Sequence, residues 1–206
     1  MTAIPLKKDP YSIIITGVGG QGNVLASRLL GSMLADKGFY VTIGETFGAS
    51  QRGGSVMSHL RISKEGVASP QIPRGRADVI VSLEPVEAFR VLAAYGNPEA
   101  VLLTNTHPIY PVGVIRGELS YPPLDELQDA ISRLLPASYF IDATEQALLL
   151  GNAILANIVM LGALGRLNIV PFDRENFQAA IGRRVAADKV AVNLQAFDVG
   201  YGMVQV

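Results

Sequence analysis

The sequence predicts a three-layer α/β domain with a mostly parallel sheet, a β-hairpin insertion and a helical C-terminal part. Three observations carry that expectation. Short apolar, β-branched runs (YSIIIT at 11–16, DVIVSL at 78–83, AVLLTN at 100–105) recur along the first two thirds of the chain. They are apolar throughout rather than alternating, the mark of strands covered on both faces. Stretches of helical spacing separate them, as crossovers between parallel strands require.

Each element follows from local chemistry. The run at 11–16 ends in glycines, after which residues 21–37 place Val24, Leu25, Leu29, Leu30 and Met33 on one side of a helix that Gly38 stops. Residues 39–43 form a second strand, so the first 43 residues read as a βαβ unit with a parallel pair. A polar, glycine-rich loop then occupies residues 45–54. Residues 55–62 alternate, with Val56, Leu60 and Ile62 on one face and Met57, His59 and Arg61 on the other. Lys64, Glu65 and Gly66 supply turn chemistry, so this strand is expected to return as a hairpin, with His59 facing solvent or a partner. A helix starts at Pro85, where proline suits the first turn, and Gly96-Asn97-Pro98 ends it. Pro108, Pro111, Pro122 and Pro123 make residues 106–123 an irregular excursion. Residues 124–134 are helical, 139–143 a last strand, and the remainder helices. Val190, Leu194, Phe197 and Tyr201 form the stripe of a C-terminal helix that docks on something.

The whole is read as a single domain, 11–206, behind a short flexible lead-in at 1–10. That lead-in has no apolar core of the kind a secretion signal needs, which points to the cytoplasm. The uncharged stretch 146–165 is long enough to span a bilayer, but Gly151-Asn152 splits it, and a helix from about Ala153 to Leu164 is expected, buried on most sides by its own domain or by a partner.

Composition narrows function. Charged residues make up 17% of the 206, against about 25% in ordinary domains, so the surface is short of charge. Net charge is −1 with no basic block, which argues against nucleic acid or an anionic membrane as partner. With no cysteine, the chain can form no disulfide, thiol nucleophile, Cys-ligated zinc or thiolate-held iron–sulfur cluster. His59 and His107 are the only histidines, and neither has a second ligand at metal-binding spacing.

Two segments can carry chemistry. Gly17-Val18-Gly19-Gly20-Gln21-Gly22 follows a strand and opens a helix, the context of a phosphate-binding, Rossmann-like turn. Glycines there let the backbone approach a pyrophosphate, and Glu45 stands where a ribose-binding carboxylate could sit; equally, the glycines could serve only tight helix–strand packing. The second segment runs from Gly44 to Ser55 and includes Ser50, Gln51, Arg52, Gly53 and Gly54. It follows the carboxyl end of a strand, where open α/β sheets bind ligands, and offers the charged fork of Arg52 amid neutral donors. Asp142, Ala143, Thr144 and Glu145 read as a strand end followed by a helix capped by Thr144. No triad or carboxylate pair can be assembled, so the chain is a poor candidate for a self-sufficient enzyme.

Taken in order, GVGGQG at 17–22, GASQRGGS at 48–55, SHLRI at 58–62, ADVIVSLEP at 77–85, Asn105-Thr106-His107-Pro108 and NIVMLGAL at 157–164 resemble the small subunit of the 2-oxoacid:ferredoxin oxidoreductases, above all the indolepyruvate (arylpyruvate) type. The resemblance runs from about residue 13 to 201. It implies a complex in which a large partner subunit, holding thiamine diphosphate, magnesium and 4Fe-4S clusters, decarboxylates a 2-oxoacid, forms an acyl-CoA and reduces ferredoxin. The Gly-Asp-Gly and distant Asn that hold the magnesium in that family are absent here, so this subunit is expected to bind none of those cofactors alone. By the same resemblance, Gly19–Gly22 and Ser50–Gly54 face the active site, with Arg52 placed to pair with a substrate carboxylate or CoA phosphate. Asn23 and Phe47 depart from the family pattern, which has a small aliphatic residue and often His at those places. Two other readings compete: a stand-alone dinucleotide-dependent oxidoreductase, and a non-catalytic assembly module.

Overall fold

The computed structural model describes residues 6–48 and 54–205. In chain order the elements are β1 (Tyr11–Val18), α1 (Asn23–Asp36), β2 (Tyr40–Phe47), β3 (Ser55–Ser63), β4 (Val79–Ser82), α2 (Pro85–Tyr95), β5 (Val101–Asn105), α3 (Val112–Ile115), α4 (Leu124–Leu134), β6 (Ser138–Ile141), α5 (Ala143–Leu149), a 3-10 turn (Ala153–Leu155), α6 (Ala156–Arg166), α7 (Arg174–Gly182) and α8 (Ala187–Met203). The strands form one sheet in the order β2-β3-β1-β4-β5-β6. β1, β4, β5 and β6 run parallel to one another, while β3 is antiparallel to both β1 and β2.

Three layers follow from the two-faced burial of the central strands. Ile13 and Ile15 of β1 point into a core shared with α1, α6, α7 and α8, whereas Ile14 points into a second core under α2 and α4. All three isoleucines are fully buried. Each such side chain contributes roughly 1.5–3 kcal/mol when removed from water, so β1 is fixed from both sides. At the opposite edge from the glycine turn, Lys8 bridges Asp78 and Glu99, and Asp9 accepts a hydrogen bond from Lys64 N at 2.9 Å.

The structure departs from the sequence expectation in the order of the first strands. β1 and β2 have the same direction, as a βαβ unit demands, but they are not neighbours, because β3 fills the slot between them. The hairpin is β2–β3, joined by residues 48–54; the turn at 64–66 leads instead out of the sheet. β3 is therefore a central strand. His59 lies at 2% exposure rather than on the surface, its Nδ1 accepting from Ile72 N at 3.3 Å and its ring edge-on to Tyr95. An alternation of polar and apolar residues is ambiguous when the polar ones find buried partners.

Two helix details also differ. Asp142, not Thr144, caps α5, its carboxylate accepting from Glu145 N at 3.1 Å. In α8 the buried side is Asn193, Ala196, Phe197 and Gly200, so of the expected stripe only Phe197 is central and Tyr201 is 44% exposed. Small residues won that face because α8 lies directly against α6. A Cβ on Gly200 would fall 1.8 Å from Val159 O, and one on Gly162 would fall 2.0 Å from Phe197 O. As expected, the apolar stretch at 146–165 is broken at Gly151 (φ +93°) and Asn152, and every residue of α6 except its last is buried.

Candidate functional site

β1 ends at Val18, and the chain turns through Gly19, Gly20 and Gln21 to Gly22, which caps α1. Gly20 and Gly22 have φ of +105° and +82°, the left-handed region that strains any other residue. The turn is tied down at every step. Gln21 Oε1 accepts from Val18 N, and its Nε2 donates to Leu83 O, both at 2.8 Å, lashing the end of β1 to the end of β4. Asn23 Nδ2 donates to Val18 O at 3.2 Å. Asn157 of α6 donates to the carbonyls of Gln21 and Gly22, 3.3 Å to each, and a Cβ on Gly22 would sit 2.0 Å from that nitrogen. Close packing thus explains Gly22, and likewise Gly17, whose Cβ would meet Gln21, Asn23 and Leu83. Gly20 has no neighbour within 4 Å of such a Cβ and borders open space.

That space is a cleft of about 410 Å³ at the carboxyl edge of the sheet. Val18, Gly19, Gly20, Gln21 and Leu83 form one wall; His107 and Ile109 form another; Thr144, Asn152 and the 3-10 turn close it. The crevice outside the carboxyl ends of the strands is where an open α/β sheet takes a ligand. Among the described residues, His107 is the one ionisable side chain lining it.

Buried polar groups build the His107 wall. Asn105, fully buried, donates from Nδ2 to Leu83 O at 3.1 Å and to Thr144 Oγ1 at 2.9 Å, while its Oδ1 accepts from Ala143 N and Thr144 N. Glu84, 2% exposed, caps α2 by accepting from Glu87 N at 2.8 Å. Its other oxygen accepts from Ile109 N at 3.4 Å and from the Tyr121 hydroxyl. Burial first, and then the Glu84 carboxylate, push the Tyr121 hydroxyl well above the usual tyrosine range, so it stays a donor.

The hairpin loop meets the glycine turn directly: Gly19 N donates to Gly54 O at 2.8 Å. Next to it, Ser55 Oγ donates to Glu87 Oε2 at 2.7 Å, and Arg90 pairs with the same carboxylate. Thr16 Oγ1 lies 3.4 Å from that oxygen. Ser50, Gln51, Arg52 and Gly53 lie outside the described residues, so of the loop residues predicted to act, Gly54 alone is placed.

Glu45 is not in the loop. It belongs to β2, opposite Ser58, and its carboxylate lies 3.5 Å from Arg28 Nε. One strand, β3, now separates Glu45 on β2 from β1 and its glycine turn, whereas a ribose-binding carboxylate sits at the tip of the neighbouring strand. Among the described residues no group of three or more His, Cys, Asp or Glu gathers where a metal could be held. With no cysteine in the sequence, the chain has no thiolate to hold an iron–sulfur cluster.

Sequence reasoning passed over Glu87 and Arg90, and met Glu84, Asn105 and His107 only within motifs, without giving them a place in the site. The available signal was Glu84-Pro85 directly after a strand, a cap position aimed at the sheet's carboxyl edge.

Comparison with known proteins agrees with this geometry. The family model for pyruvate ferredoxin/flavodoxin oxidoreductase matches residues 12–203. The indolepyruvate oxidoreductase subunit IorB of Thermococcus kodakarensis is 39% identical over 191 residues, covering 92% of this chain and 94% of the relative. IorB of Archaeoglobus fulgidus is 36% identical, covering 92% and 93%. Among solved structures, pyruvate oxidoreductase subunit PORC from Thermotoga maritima superposes with a TM-score of 0.72 at 22% identity, over 96% of this chain and 98% of that one. A 2-oxoglutarate:ferredoxin oxidoreductase from Magnetococcus marinus gives a TM-score of 0.74 at 22% identity, over 96% of this chain but 31% of that one. In that polypeptide the same fold is one part of a longer chain. From the family match and the IorB relatives together, the chain belongs to the pyruvate ferredoxin/flavodoxin oxidoreductase family, as an IorB-like small subunit of a 2-oxoacid:ferredoxin oxidoreductase.

Proposed function

We propose that this chain completes the active site of an arylpyruvate oxidoreductase, indolepyruvate being the leading substrate. In the complex a 2-oxoacid and CoA yield an acyl-CoA and CO2, and two electrons pass to ferredoxin. Thiamine diphosphate, its magnesium and the 4Fe-4S clusters reside in the large subunit, for which this chain's lack of cysteine is the chemical counterpart. The complex works in the cytoplasm; among the described residues no helix is long and apolar enough to cross a membrane.

The observation that carries the reading is the junction of glycine turn and hairpin loop, Gly19 N to Gly54 O, at the mouth of the cleft. The glycine turn brings backbone to the cleft at Gly20 without a side chain in the way. The hairpin loop joined to that junction includes Arg52, whose guanidinium suits a carboxylate or phosphate. An Arg52→Ala complex, checked for assembly by size, should show the KM for CoA or for the 2-oxoacid raised about tenfold, the value of one charge-assisted hydrogen bond. Unchanged kinetics in a fully assembled complex would overturn this role. The stand-alone dinucleotide reading predicts NAD(H) or FAD binding by the purified chain, and a titration without binding rejects it. The assembly-module reading predicts loop variants that reduce complex formation and leave turnover intact in what remains.

A further inference from the structure

We propose that His107 contacts the bound ligand in the glycine-turn cleft and that Glu84 positions it, so that the cleft selects an oxyanion and holds it more tightly when His107 carries a proton. The inference rests on the reading that this cleft faces the active site, and adds the residues that set its specificity.

Twelve of the described residues wall the cleft, and His107 alone among them can carry charge. Its other polar groups are the Gly20 backbone N–H, the Gln21 and Asn152 amides and the Thr144 hydroxyl, the Gly19 N–H being bonded to Gly54 O. Gln21 is already committed at both ends of its amide, and Thr144 Oγ1 accepts from Asn105. An imidazole beside bare glycine backbone is a donor set for an anion.

Glu84 comes next. His107 leaves β5 on the excursion at 106–123, a segment with a single short helix. Such a segment would place a side chain poorly unless it were anchored. Glu84 anchors it twice with one carboxylate oxygen, accepting from Ile109 N two residues past His107 and from Tyr121 near the excursion's far end. The second oxygen is held by Glu87 N, so the carboxylate cannot swing. Pro108 further restricts the backbone between His107 and Ile109. Other ionisable groups in the surrounding elements are Tyr110, Arg116, Glu118 and Tyr121 on the excursion and Asp142 and Glu145 at the start of α5; none lines the cleft, nor does Glu84.

The oxyanion could be the carboxylate of the 2-oxoacid or a phosphate of CoA. The test separates these sources. In the assembled complex, KM for indolepyruvate and KM for CoA are measured separately between about pH 5 and 8, the interval in which histidine changes charge. Wild-type KM for one of the two should rise about tenfold as the pH is raised, and His107→Gln should remove that rise while leaving the other KM unaffected. Tyr121→Phe deletes one anchoring hydroxyl with little change of shape. It should raise the same KM several-fold and preserve its dependence on pH. If His107→Gln retains the wild-type pH dependence of both KM values, the contact is overturned. If Tyr121→Phe lowers Tm and leaves both KM values unchanged, the positioning role of Glu84 is overturned and the carboxylate is only structural. A silent Arg52→Ala beside an active His107→Gln rejects the role of the hairpin loop and supports the cleft. If neither variant moves either KM in an assembled complex, both readings fail together.

Discussion

His59 illustrates how one side chain's surroundings set its chemistry. It is buried in the central strand β3, and burial pushes its pKa below the ordinary histidine value because the charged form has lost its water. Its Nδ1 accepts from Ile72 N, a bond that only an unprotonated nitrogen can make. The unfolded chain takes up a proton near the ordinary histidine pKa, and the folded chain does so only at lower pH. Stability is therefore fully present above the unfolded value and declines as pH falls below it. Tm measured from pH 7 to 5 should drop more steeply for the wild type than for His59→Gln, and equal slopes would refute the assignment. Position alone did not reveal this, because a histidine in an alternating run looks the same whether its face meets water or a helix.

Helix packing shows the same dependence on partners at the next scale. α6 and α8 touch backbone to backbone at two interlocked glycines, Gly162 facing Phe197 O and Gly200 facing Val159 O. A carbonyl in a packed helix cannot rotate aside, so Gly200→Ala must separate the helices. The expected cost is about 3 kcal/mol, read as a lowered urea midpoint. Gly202 lies on the same helix with open space around it, and Gly202→Ala should instead add a few tenths to about 1 kcal/mol through helix propensity. Destabilisation by both, or by neither, would contradict the packing. The stripe at Val190, Leu194, Phe197 and Tyr201 was legible as periodicity, yet the buried side turned toward smaller residues. Periodicity registers hydrophobicity, while close approach rewards the absence of a side chain.

For the molecule as a whole, the scarcity of charge governs behaviour in solution. Net charge is −1 and the isoelectric point is about 6.1, while Leu149, Ile115, Leu119 and Val112 are each more than 60% exposed. Little electrostatic repulsion opposes association of such a surface near neutrality. Solubility of the isolated chain in a precipitant titration should therefore be lowest near pH 6 and rise by pH 8. A solubility that does not change across that range would show that charge does not control it. Most of the architecture at this scale was readable in advance: three layers, a mostly parallel sheet and a helical C-terminal third. Continuous apolar runs and glycine stops depend on the local chain and on two-sided burial alone.

By itself the sequence determined the class of fold, the glycine turn after β1, the break at Gly151-Asn152, the absence of thiolate chemistry, and the family. These depend on residue type, spacing and order. Tertiary structure decided which strand lies beside β1, where Glu45 ends up, and which residues wall the cleft. β3 displaced β2 because strand adjacency is a matter of pairing partners far apart in sequence, which period-two patterning does not encode. Glu84, Asn105 and His107 became a site only when β4, β5 and the excursion met at one edge of the sheet. A buried carboxylate and a cleft histidine act through distances, and distances between remote residues exist only in the folded chain.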